Sequence, residues 1–170
     1  MWLGFSIFLI ALPAWAIQMG DGTVFFSRPP ILDRTQASNR NTNVPSVVYS
    51  FTIEMPNNAG EPLHKLVFEQ ASGAESFRFD LNNGRAFLGR SPSSGKRQPA
   101  KLQQEFDRLV MTFNPPISPG KTITVALPVI RNPSLSGTYF IGVTAIPQGE
   151  KVEEQFIGFG RFRIQKGGGS

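Results

Sequence analysis

His64 is the only imidazole in a chain of 170 residues that contains no Cys. A His acts as a general base when a Ser or Cys stands on one side of it and an orienting carboxylate on the other. Ser, Asp and Glu are plentiful, but no Gly-x-Ser-x-Gly elbow appears. His64 therefore reads as a surface or edge-strand residue. One His without Cys cannot build a His/Cys metal centre, and no Asp-x-Asp-x-Asp loop offers calcium a ligand set. Glycoside hydrolysis needs two carboxyl groups roughly 5 to 10 Å apart. Glu54, Glu61, Glu69 and Asp80 are the nearest set, and each has an ordinary surface explanation. The expectation is of no catalytic residue, no metal and no cofactor.

The residues with a functional slant are basic. Arg85, Arg90, Lys96, Arg97 and Lys101 fall within a stretch, 84–104, rich in Ser, Pro and Gly. Residues 78–131 hold nine of the seventeen Lys and Arg but only three of the twelve Asp and Glu. Clustered cations follow an anionic surface, each contributing about 1 kcal/mol beside an acidic membrane. The partners this implies are an anionic polysaccharide, lipid headgroups or an envelope protein. The alternative is a solvated, solubilising stretch. Nucleic-acid binding adds stacking aromatics, and only Phe87 lies there, so no nucleic-acid role is expected.

The elements that must position these residues read as sheet. Residues 1–16 carry no charge, an apolar run from Leu3 to Leu12 and an Ala14-Trp15-Ala16 ending. That is a signal peptide with its cleavage site, too short to be a transmembrane span. It predicts export to the periplasm, the outer-membrane periphery or the exterior, with a mature chain starting at Ile17. Both Trp residues, Trp2 and Trp15, leave with it. The ring platforms that sugar-binding sandwiches build from Trp or Tyr are then largely missing.

Beyond the leader, Val47 to Met55 alternates strictly, with Val47, Tyr49, Phe51, Ile53 and Met55 on one face. Leu66 and Phe68 point inward from the next strand, then Phe77, Phe79 and Leu81, then Leu109, Met111 and Phe113, then Ile123, Val125 and Leu127. Tyr139 to Ile146 is apolar on both faces, as in a central strand covered on both sides. In the last strand, Gln155 to Ile164, Gly158 and Gly160 predict a bulge or a close backbone contact, and Arg161 and Arg163 share a face. Thr23 to Phe26 reads as a short strand, 33–45 as an exposed loop and 84–104 as a long loop. Arg78 and Asp80 share a face and could pair. The best helical candidate, Ala100 to Arg108, is short.

Several motifs coincide: Asp21-Gly22-Thr23-Val24-Phe25-Phe26 with Pro29-Pro30, Asn58 to Leu63, Phe77-Arg78-Phe79-Asp80, Asn114-Pro115-Pro116 with Pro119-Gly120, Arg131-Asn132-Pro133, Gly137 to Ala145, and Gly158-Phe159-Gly160. As a set they resemble a cyanobacterial family of exported single-domain proteins of unknown function. The resemblance implies source and export and supplies no catalytic residue. The order Pro-Gly, strand, Asn-Pro, Gly-x-Tyr also looks like the late strands of immunoglobulin-like domains.

The sequence thus predicts an all-β chain: an antiparallel β-sandwich, immunoglobulin-like, of about seven to nine strands, with a β-barrel as the alternative. Residues 1–16 form the signal peptide, 17–164 one domain and 165–170 a flexible tail. The predicted function is non-enzymatic attachment at the cell envelope through Arg85, Arg90, Lys96, Arg97 and Lys101. The alternatives are a self-associating structural envelope protein and, third, a carbohydrate hydrolase.

Overall fold

The computed structural model describes residues 20–93 and 95–167. The leader read at 1–16 lies outside them, as do residues 168–170 of the tail. The described residues form β1 (Ile31–Ala37), β2 (Val48–Glu54), β3 (Leu63–Ser72), β4 (Arg85–Leu88), β5 (Lys96–Gln98), β6 (Ala100–Glu105), β7 (Arg108–Ile117), β8 (Thr122–Pro128), β9 (Gly137–Pro147) and β10 (Gln155–Ile164). These build two antiparallel five-stranded sheets, ordered β1-β2-β8-β4-β5 and β10-β9-β3-β7-β6. The sheets face each other as a β-sandwich. They do not close into a barrel, and the ten strands are one more than the upper end of the expected range.

The alternation written in the sequence places the core. Tyr49, Phe51, Ile53, Ile123, Val125 and Leu127 project from the first sheet onto Leu66, Phe68, Met111, Phe113, Tyr139, Val143 and Phe162 of the second. Phe51 meets Phe68 across the gap at 4.9 Å between ring centroids, and Tyr49 meets Phe162 edge-on at 4.7 Å. Each such buried side chain contributes roughly 1.5–3 kcal/mol through apolar area alone. The Tyr139 hydroxyl donates to the Leu135 carbonyl at 2.8 Å, the tie to upstream backbone seen in immunoglobulin-type sandwiches.

The expected cover on both faces of β9 holds only at its end: on the outer face Phe140, Gly142 and Thr144 are partly open and Ile146 alone is buried. Ile146 joins Val67 and Val110 in a small second cluster on the outer face, with Val152 packed over it. Arg108 donates to Glu154 at 2.6 Å and helps hold the segment around Val152 there.

Six local readings change. The expected loop at 33–45 begins inside β1, an edge strand whose exposed Asp33, Arg34 and Gln36 mask its period. The expected loop at 84–104 is largely β4, β5 and β6, and the helical candidate Ala100 to Arg108 is mostly β6. Thr23 to Phe26 and Ser76 to Leu81 contribute only single bridges, Val24 to Val152 and Phe79 to Val129. No ion pair joins Arg78 and Asp80; Asp80 instead accepts from the Asn82 N–H at 3.1 Å and from Asn83 Nδ2 at 2.7 Å.

The two long sides of the sandwich differ. On one, β1 packs against β10, and Arg40 and Thr42 exchange backbone hydrogen bonds with Gln165. A Cβ on Gly160 would lie 2.7 Å from the Phe51 ring and 3.2 Å from Thr35. The missing side chain lets this seam close. On the other side β5 and β6 are one run of chain. It pairs with β4 in the first sheet, passes through Pro99, and pairs with β7 in the second.

Candidate functional site

The crossing at Pro99 creates a groove of about 650 Å³, lined by residues of the 81–86 segment on one side and Arg97 to Leu102 on the other. Three of the five cations singled out in the sequence line it: Arg85, Arg97 and Lys101. The lining contains no carboxylate, and among the described residues none of the three lies within ion-pair distance of one.

Strand register explains how they meet. Ala86 pairs with Gln98 and Phe87 with Arg97. Ala86 and Gln98 are buried, so the alternate residues Arg85 and Arg97 face outward. Lys101 pairs with Thr112 in the other sheet and is exposed. Gln98 turns inward and donates to the Pro115 carbonyl at 2.8 Å, fastening the crossing chain between the sheets. At Gly84 a Cβ would stand 2.5 Å from Leu102 Cδ2, so the turn before β4 seats directly on β6.

Arg85 is held in place. Its Nη1 donates to the carbonyls of Asn82 and Gly84, both at 2.8 Å, and its Nη2 to Asn83 Oδ1 at 3.2 Å. A guanidinium has five N–H donors, so donors remain for an incoming anion. Arg97 and Lys101 are exposed on the facing chain.

The other two cations are elsewhere. Arg90 donates to Asp33 at 2.6 Å and also pairs with Glu54, tying the β4–β5 turn to β1 and β2. Lys96 pairs in register with Leu88, on the side of β5 opposite to Arg97. The five residues are therefore not one flexible loop, because strand pairing distributes them.

The candidates for acid–base chemistry are dispersed. Glu54 lies on β2 in the first sheet and Glu69 on β3 in the second. Glu61 is buried in the connection between them, with Oε1 lacking a hydrogen-bond partner, and burial raises its pKa. His64 on β3 has its pKa lowered by burial and then by Lys65, and no hydrogen bond joins it to a hydroxyl or carboxylate among the described residues. No group of three or more among the described His, Asp and Glu side chains could hold a metal ion.

A second groove, of about 770 Å³, was not visible in the sequence. It lies between the 70–79 segment and the β6–β7 turn and is lined by Phe77, Phe79, Phe106 and Ile130, with Arg78 and Asp107 as its charges. Phe106, at the turn, has φ of 58° and is 98% exposed. Groove-shaping residues such as Gly84, Pro99 and Leu102 were also missed, since their role is set by the meeting of two sheets.

No described helix is long and apolar enough to cross a membrane. No curated protein matches the chain. Among solved structures, a collagen-binding domain from a Staphylococcus aureus adhesin aligns with 85% of this chain and 99% of its own, at 8% identity and a TM-score of 0.42. A DUF4466 family protein from Parabacteroides merdae aligns with 85% of this chain and 46% of its own, at 16% identity and a TM-score of 0.45. The family model for DUF2808, described as a protein of unknown function, matches residues 23–164, nearly the whole span of the recognised motifs. The chain belongs to the DUF2808 family.

Proposed function

We propose that this is an exported, non-enzymatic envelope protein that holds an anionic polysaccharide in the groove of Arg85, Arg97 and Lys101. One observation carries the reading: three cations from two sheets line one groove that contains no carboxylate. Single exposed ion pairs contribute little, but a polymer carrying an acid on each residue meets all three together. The pinned Arg85 supplies directed donors, and the two exposed cations adapt to spacing. Attraction of this kind is screened over about 10 Å at 0.1 M salt.

The test is retention of the chain from Ile17 onward on immobilised polygalacturonate, across a salt gradient. The expected result is binding at low salt, release at high salt, and loss of binding in a variant with Arg85, Arg97 and Lys101 all changed to Ser. Equal retention of variant and wild type overturns the reading.

A further inference from the structure

The outer face of β9 and β10 carries a different combination, at the closed side of the sandwich opposite the groove. Phe156 and Phe159 are 56% and 54% exposed. Three residues apart on a regular strand, they would point to opposite faces. A bulge between Phe156 and Gly158 shifts the register, so that Phe156 pairs with Thr144 and Phe159 with Gly142. Thr144 and Gly142 are alternate residues of β9, so both rings are brought to one face. Gly158, with φ of 138°, supplies the backbone that this needs. Gly142 supplies room: a Cβ there would touch both rings at 3.4–3.5 Å. The rings stand edge-to-face at 4.8 Å, with Phe140 6.2 Å from Phe159.

Cations adjoin this aromatic cluster on the same face. Arg161 pairs in register with Phe140, and Arg163 follows two residues later. Both line two shallow grooves, one shared with Arg40 and the other with Lys166. Neither groove contains a carboxylate, and none of these four cations has an ion pair among the described residues.

From this we infer that the β9–β10 face docks onto an anionic phospholipid bilayer. Phe156 and Phe159 enter the boundary between headgroups and acyl chains, while Arg161, Arg163, Arg40 and Lys166 meet lipid phosphates. Phe has no polar atom to satisfy, so its ring gains from leaving water altogether. Charge decides against a second copy as the occupant. A two-fold contact that overlays Arg161 and Arg163 of both copies would bring four guanidinium groups together, while the nearest carboxylates of this face, Glu69 and Glu154, are engaged with Arg108. An acidic glycan would engage the cations but leave the rings in water.

The absence of Trp from Ile17 onward makes the test direct. That span contains both sheets and all the core residues described. Phe159→Trp in this chain is a single reporter at the proposed point of insertion. The expected result is a blue-shifted emission with phosphatidylglycerol vesicles, quenched by brominated lipid, and no shift with phosphatidylcholine. Changing Arg161 and Arg163 together to Ser is expected to weaken vesicle binding about 30-fold at low salt, about fivefold per cation. The Arg85, Arg97 and Lys101 variant is expected to bind vesicles as wild type does, which separates this inference from the groove reading. Co-sedimentation without an emission shift overturns it. So does unchanged binding by the Arg161 and Arg163 variant, or absence of binding to phosphatidylglycerol vesicles.

Discussion

The hydroxyl of Tyr49 donates to Oδ1 of Asn132 at 2.7 Å, inside the sandwich and across 83 residues of sequence. Asn132 spends its amide on the carbonyls of Asn39 and Asn41, at 3.2 and 2.8 Å, and its backbone N–H bonds to Val44. One buried side chain thus ties β2 to the connection leading away from β1. Burial raises the Tyr49 pKa, with Tyr139 adding to the effect, so the phenol is a donor at neutral pH. Tyr49→Phe leaves a buried carbonyl oxygen without its donor, and a loss of about 1–3 kcal/mol is expected in urea unfolding.

Gly73→Ala tests the other tyrosine. A Cβ there would stand 2.2 Å from Cδ1 of Tyr139, and the backbone φ is 143°. The ring cannot move freely, since its hydroxyl is bonded to Leu135 and its centroid lies 5.3 Å from that of Phe77. A cost of about 2–4 kcal/mol is expected, from combined overpacking and backbone strain. Calorimetry should find Tm lowered by roughly 5 to 15 °C.

Glu61 makes stability depend on pH in an uncommon direction for a carboxylate. Burial raises its folded-state pKa above the ordinary 4.5. Its neutral form therefore favours folding. That contribution is full below the unfolded value and is lost as pH rises through the folded one. Glu61→Gln removes the charge at constant shape. Urea unfolding at pH 8 should show the variant more stable by about 1 kcal/mol, with the gap closing near pH 4. Asp21 and Glu75, whose pKa values are lowered by Lys151 and by the Leu135 N–H respectively, act in the opposite sense and are common to both proteins.

Arg90 and Lys96 separate placement from bulk charge. Changing both to Ser removes two positive charges next to the groove but none that line it. Polygalacturonate retention at 0.1 M salt should stay within about twofold of wild type, because charges outside the contact are screened over about 10 Å there. Loss of the Arg90 pairs with Asp33 and Glu54 should cost at most about 1 kcal/mol of stability.

What the sequence made legible follows from period two. Val47 to Met55 and Thr122 to Leu127 alternate because one face of each is core, and those rows are buried as read. β1, β5 and β6 escaped notice because edge strands bury little: only Gln98 of β5 and no residue of β6 is fully buried. The segment from Ser76 to Leu81 misled in the opposite way. Phe77 and Phe79 do face the core, but a single bridge, Phe79 to Val129, stands in place of a ladder. The basic residues were found by composition alone. Which three of the five share a groove depended on register, and register is fixed by pairing with β8 and β7, not by local sequence.

Pro99 also bears on how the molecule keeps to itself. A bare sheet rim with consecutive free N–H and C=O groups is a template on which further chains stack. Here the rims of both sheets on the open side are one run of chain, and at its bend stands a residue with no N–H to offer. The run is thereby cut into pieces of three and six residues that belong to different sheets. A neighbouring strand could extend neither piece into the other. The turn that brings the cations together also leaves an encroaching fibril too short a ledge to grow on.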